Sequence, residues 1–176
     1  YFVIAHFHIV MGVASMFGMF AGIYHWFPKM YGKYLNNNLG YIHFWLTMIG
    51  AYLIFWPMHY EGLAGMARRL YDPRGYVSFN QFEDLNQFIS VVSIIVFVLQ
   101  LMFVFNFFYS IFKGRKVQTQ NPWNSNTLEW TTPIRPGHGN WVGDIPEVHR
   151  WAYDYGKDGV DHIPQTVPVG EHESKH

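Results

Sequence analysis

Three stretches of this chain contain no Lys, Arg, Asp or Glu at all: Tyr1 to Pro28, Tyr34 to Tyr60, and Leu85 to Phe112. Each is about 27 residues, roughly 40 Å as an α-helix, which exceeds the roughly 30 Å of a bilayer's hydrocarbon core. Buried core helices of a water-soluble protein seldom give three such runs in succession. The pattern therefore predicts an all-α membrane protein with three transmembrane helices, over about 1–28, 38–60 and 82–113. Charge is correspondingly uneven. Of the twelve basic and twelve acidic residues, only nine precede Lys113 and fifteen follow Phe112. This separates a three-helix region, 1–112, from an extended polar tail, 113–176. The zero net charge leaves no electrostatic footprint for nucleic acid, and the absence of cysteine removes thiolate metal sites and nucleophiles.

Local signals fit these limits. Pro28 closes the first run, Asn36-Asn37-Asn38 offers caps for the second helix, and Asn80 with Glu83 resembles a capping box opening the third. Trp26, Tyr31, Tyr34, Tyr41 and Trp45 have the character of an interfacial aromatic belt. Gly18 and Gly22 form a GxxxG, best read as close helix packing. Tyr1 lies directly inside an apolar run with no polar flank or signal-peptide pattern, which reads as the C-terminal piece of a longer membrane protein.

Lys29, Lys33, Lys113, Arg115 and Lys116 fall on the side reached after the first helix. The opposite side, from Glu61 to Asp84, holds three Arg among four acidic residues. The positive-inside rule makes the first side, and with it the tail, cytoplasmic. Arg68 and Arg69 then lie together where positive charge is disfavoured. They follow Gly62-Leu63-Ala64-Gly65-Met66-Ala67, small residues that let the backbone fold tightly against something. Taken alone, the pair reads as a juxtamembrane contact to lipid phosphate or Asp72. The sharper reading is a guanidinium fork for an anionic ligand.

His6-Phe7-His8 lies near the same membrane side. An ionisable side chain within a bilayer is a functional hypothesis by default. On a regular helix positions i and i+2 point about 200° apart, so His6 and His8 cannot share one ion. They can serve two partners, one on each face, with Phe7 between them. Haem suits this arrangement, because its iron accepts an axial His and its propionates are anionic. Two histidines hydrogen-bonded to neighbouring helices is the plainer reading of an isolated HxH. The remaining histidines read as packing or belt residues (His25, His43), a structural histidine near the haem side (His59), and solvated tail residues (His138, His149, His162, His172, His176).

The chain resembles the C-terminal third of subunit one of the haem-copper oxidases, most closely the cytochrome c oxidase type. The resemblance rests on Ala5-His6-Phe7-His8, His25-Trp26-Phe27-Pro28, Gly62 through Arg69, and Asn121-Pro122-Trp123 with Thr127-Leu128-Glu129-Trp130, in order and spacing. It implies the last three helices of a twelve-helix bundle. It implies that His6 ligates the high-spin haem iron, that His8 is an axial ligand of the low-spin haem iron, that Phe7 lies between the haems, and that Arg68 and Arg69 bind propionates. The cofactors implied are two haems, of the haem A type, with copper beside the high-spin haem. The copper ligands, the second low-spin ligand and the main proton-channel residues would come from earlier helices, so the chain alone would be inactive. Ala67 stands where the family usually has proline, and Leu70 to Gly75 is slightly shortened.

The activity implied is reduction of dioxygen to water with electrons from cytochrome c, coupled to proton translocation. Quinol oxidase subunit one is the nearest alternative, and a nitric oxide reductase fits the tail motif less well. A cofactor-free membrane scaffold or transporter segment is the alternative from another class. The implied partners are the rest of subunit one, oxidase subunits two and three, the electron donor and membrane lipid. The implied setting is a bacterial cytoplasmic membrane in preference to a mitochondrial inner one. Four tryptophans, Trp123, Trp130, Trp141 and Trp151, argue that the tail packs as an extended segment over the helices, with Gly170 to His176 frayed.

Overall fold

The structure is a computed structural model that describes residues 1–153 and 163–169. It is helical, and among the described residues β-pairing is limited to one antiparallel bridge between Lys33 and Lys116. The first long helix comprises α1 (Phe2–Phe7), a π-helical segment (His8–Val13) and α2 (Ala14–Tyr31), 30 residues in all. The second is α3 (Asn37–Leu63). After a turn at Pro73–Gly75, a 3-10 segment (Val77–Phe82) leads directly into α4 (Glu83–Lys113). All three are long and apolar enough to cross a membrane.

Helix ends follow local chemistry, with three departures from expectation. The Asn36 side chain caps α3 as expected, accepting from the Asn38 and Leu39 amides at 3.0 and 3.2 Å. Pro28 lies inside α2, not at its end, and the helix stops at Gly32, whose φ of +68° a non-glycine residue adopts only under strain. Asn80 does not cap α4, because the preceding turn is already a 3-10 helix that runs into it. Glu61 belongs to the end of α3 and not to the following loop.

The chain divides into two compact units, and the division falls within α2. The first unit comprises Tyr1–Ile23 and Leu35–Phe112. Its core is Ala5, Ile54, Met58 and Val92, with Tyr1, Ile4, Phe55, Ile89 and Val96 packed around them. Two glycines permit the closest approaches. A Cβ at Gly62 would overlap the backbone of Phe2, and one at Gly50 would overlap Val96. A Cβ at Gly18 would meet nothing within 4 Å among the described residues, so that position is open to a neighbour outside the chain. Buried polar groups pair between helices: His43 Nε2 donates to Gln100 Oε1 at 3.0 Å, and Gln100 Nε2 donates to Thr47 Oγ1 at 3.2 Å. The Phe20 and Phe103 rings pack against His43. Asn106 bonds both the N–H and the carbonyl of Asn36, and Ser110 donates to Asn106 Oδ1. Outward residues such as Phe97 and Phe112 are 70% and 73% exposed. Such a surface suits lipid or further helices, not water.

The second unit comprises Tyr24–Tyr34 and Lys113–His176. Here the tail packs on the end of α2, with Lys29 at the centre. The Lys29 ammonium is buried and donates to the carbonyls of Thr132 and Gln120 at 2.6 and 2.9 Å, and lies over the Trp130 ring. The tail also satisfies the helix's last carbonyls: Trp123 Nε1 donates to His25, the Arg135 amide to Lys29, and Arg135 Nη2 to Tyr31. Further along, Gln165 joins Asn126, Leu128, His149 and Arg150 through main-chain and side-chain hydrogen bonds. The frayed end expected from Gly170 to His176, and His162 with it, lie outside the described residues.

Candidate functional site

The HxH segment lies where α1 gives way to the π-helical segment, which begins at His8. Such segments often accompany functional sites, because widening the backbone turn redirects side chains. Both histidines and Phe7 are exposed in the isolated chain, Phe7 by 55%. The His8 Nδ1–H donates to the Ile4 carbonyl at 2.8 Å. That bond assigns the proton to Nδ1 and leaves Nε2 with its lone pair, the state in which imidazole ligates a metal. The ring is further oriented by a stacked contact with Phe55, 5.2 Å between centroids, and an edge contact with Phe7. This is a satisfied, oriented imidazole with one nitrogen free.

The arginine loop begins beside the start of the same helix. The Tyr1 nitrogen donates to the Met66 carbonyl at 2.9 Å, the Phe2 ring meets the His59 ring edge-on at 4.9 Å, and Gly62 lies against Phe2. The small-residue stretch thus folds tightly against α1, and Arg68 and Arg69 follow it within three residues of Met66. Both are exposed, and neither forms an ion pair among the described residues. Asp72, the local alternative partner, is engaged by Arg74 instead, at 3.0 Å. Arg69 holds φ at +65°, a left-handed conformation that costs a non-glycine residue about 1–3 kcal/mol. Strain of that kind concentrates where a side chain must be aimed.

The residues present fit a haem edge by their donor set: one lone-pair nitrogen on an oriented imidazole, a second exposed imidazole on the same turn, and two guanidinium groups not engaged by acids. Among the described residues no three His, Asp or Glu side chains gather to hold a metal ion, and an axial ligand to haem iron requires no such group. The other histidines do what their surroundings require. His25 packs between Trp123 and Trp130, His43 bonds Gln100, and His59 donates from Nδ1 to Phe55. His149 lies 3.5 Å from Glu147.

Sequence reasoning missed two features of this end of the unit. The π-helical segment has no local breaker to announce it. Glu61 is fully buried, although it is the first acidic residue in the chain and so carried a signal.

Residues 1–95 match the family described as cytochrome C and quinol oxidase polypeptide I. The chain is 50% identical over 172 residues to the alternative cytochrome c oxidase subunit 1 of Bradyrhizobium diazoefficiens, covering 95% of this chain and 29% of that protein. It is 45% identical over 158 residues to cytochrome c oxidase subunit 1 of Thermostichus vulcanus, covering 89% and 27%. With the subunit 1 of Corynebacterium diphtheriae the identity is 40% over 176 residues, covering 98% and 30%. The chain spans less than a third of the length of these curated relatives.

Proposed function

The chain belongs to the cytochrome c and quinol oxidase polypeptide I family, and from that premise we propose that it is the haem-bearing C-terminal part of the subunit one of a terminal oxidase. In this reading it is an integral membrane protein of a haem-copper oxidase that takes electrons from cytochrome c, reduces dioxygen to water and translocates protons. The observation that carries the reading is His8: its Nδ1–H is fixed on Ile4 and its Nε2 is open, on the helix whose start packs against the arginine loop.

His8 would hold the low-spin haem iron and His6 the high-spin one, with Phe7 between the two. When bound, the haems would supply electron transfer and the site of oxygen reduction. The carbonyl of Ile4 would fix the tautomer and orientation of the His8 ring, as the outer partner of a metal-bound imidazole does. Arg68 and Arg69 would neutralise propionates, and a guanidinium does so bidentately where a lysine would not. Copper would be held beside the high-spin haem by residues of the rest of subunit one. Subunits two and three, a bacterial cytoplasmic membrane, haem A as the haem type and a cytoplasmic tail complete the proposal. Names of relatives support cytochrome c over quinol as donor.

The test is an optical spectrum of the oxidase complex. Replacing His8 is expected to abolish the low-spin component, and replacing His6 to abolish the high-spin one. Unchanged haem content with both replaced would overturn the assignment. Turnover with reduced cytochrome c against quinol decides the donor.

A further inference from the structure

Among the described residues of the first unit, the buried polar side chains find partners with one exception. His43, Thr47 and Gln100 bond one another, and Asn106 bonds Asn36 and Ser110. Glu61 does not. None of its surface reaches solvent, and neither Oε1 nor Oε2 has a hydrogen-bond partner. Leaving an ionised carboxylate in that condition costs several kcal/mol, so a buried carboxyl must be paired or neutral.

Its position makes ionisation harder still. Glu61 lies in the final turn of α3, where the helix macrodipole is negative. The carbonyls of Tyr60, Glu61 and Gly62 are turned toward the loop, accepting from Ala64, Met66 and Gly65. The titratable group acting on it from the start of the first long helix is the Tyr1 phenol, since the Tyr1 nitrogen is an uncharged amide in the longer subunit proposed above. The nitrogen is taken up by the Met66 carbonyl at 2.9 Å, and the phenol is an acid itself. The loop contributes buried Met66, without charge. On its own helix, His59 directs Nδ1 to Phe55 and packs its ring against Phe2 and Trp56. Glu61 forms no ion pair among the described residues.

We propose that Glu61 is a proton-binding site, a neutral carboxylic acid buried beside the loop that carries Arg68 and Arg69. The neutral acid lets the end of α3 pack against Phe2 without a counter-charge, and it stores one exchangeable proton at the end of the bundle where the arginines lie. The site stands on burial and missing donors alone; only its use beside haem propionates rests on the reading above.

Infrared absorption of the purified oxidase complex tests this without any haem signal. A carbonyl-stretch band of a protonated carboxylic acid is expected. It should shift in heavy water, shift again when glutamate is labelled with carbon-13 at the carboxyl, and vanish in Glu61→Gln. Gln keeps the size and neutrality of the acid, so this variant is expected to retain wild-type haem absorption. Should that variant fail to assemble, Glu61→Asp decides: a protonated-acid band moved from its wild-type position and no longer sensitive to glutamate labelling supports the site, and an unmoved, still label-sensitive band overturns it. Loss of an ionised carboxylate band in Glu61→Gln, with the carbonyl region unchanged, would also overturn the proposal, because Glu61 would then be paired with a cation. A preparation without haem would sink the oxidase reading and leave this measurement intact.

Discussion

The two units are held together by different parts of their residues. In the first, apolar side chains form the core, and buried polar groups pair with each other across helices, as in His43–Gln100–Thr47. In the second, polar side chains reach for main-chain carbonyls: Lys29 for Thr132 and Gln120, Trp123 for His25, Arg135 for Tyr31, Arg150 for Val167 and Pro168. The reason is secondary structure. Long helices satisfy their own carbonyls, so side chains there need only fit; a tail with little regular structure leaves carbonyls open, so side chains must satisfy them. The lesson is about reading exceptions. In the tail, an unpaired Asn126 Nδ2 or Trp130 Nε1 is the edge of a dense network. In the helical unit, unpaired Glu61 is conspicuous.

Lys29→Met should break the second unit most severely. Methionine keeps the stem but leaves the buried Thr132 carbonyl without its donor, at about 1–3 kcal/mol, and removes the part-buried bond to Gln120 as well. Faster tryptic cleavage after Lys116, four residues before Gln120, is the expected result in the assembled oxidase; unchanged cleavage would show that Lys29 is not the centre of that unit. The counterpart in the first unit is steric. Gly62→Val forces a side chain into the Phe2 backbone, at about 1–3 kcal/mol or more, and should lower the thermal midpoint of haem loss. A midpoint equal to wild type would mean that the contact yields. Gln100→Leu should cost less, about 1 kcal/mol, because polar pairs between membrane helices contribute modestly. A cost for Gln100→Leu as large as that for Lys29→Met would erase the distinction between the units.

How far each unit was legible in the sequence follows from the same distinction. The three helices could be read because a bilayer-length run without charge is a signal spread over many residues. The Asn36 cap could be read because capping is local. The Gly62 to Ala67 stretch announced a tight fold, and Gly62 does lie on Phe2. Glu61 was cut from α3 because charge was used to end the run, whereas burial allowed the helix to continue through it to Leu63. Pro28 reads as a stop in the sequence, yet proline removes only one ladder bond, and the tail packs over this end of the helix. The Lys29 carbonyl cage joins residues 91 and 103 positions apart, and no local pattern carries that. At the candidate site, His6, His8, Arg68 and Arg69 stood out by type and membrane side. The left-handed backbone of Arg69 and the π-helical segment at His8 did not, because both are set by packing.

The smallest expected effect lies in an exposed loop of the first unit, where neither apolar packing nor unsatisfied carbonyls are at stake. Asp72 accepts from the Arg74 amide at 3.0 Å and from Arg74 Nε and Nη2 at 3.0 and 3.3 Å. The Arg74 side-chain hydrogen bond holds the Asp72 carboxyl below the usual carboxylate range. A depressed folded-state value means that the pair's contribution is complete above the ordinary carboxylate range and is lost as pH falls through the lowered value. Solvent and salt screen it, so the effect is slight. Hydrogen-exchange protection of the Arg74 and Gly75 amides, corrected for intrinsic rates, should decline as acid is added and at high salt. Asp72→Asn should show a flat profile, because asparagine keeps the turn's acceptor but has no charge to lose. An unaltered acid-dependent decline in that variant would assign the loop's order to something other than this pair. A decline as large as the loss from Gly62→Val would make exposed charge as important to this unit as helix contact.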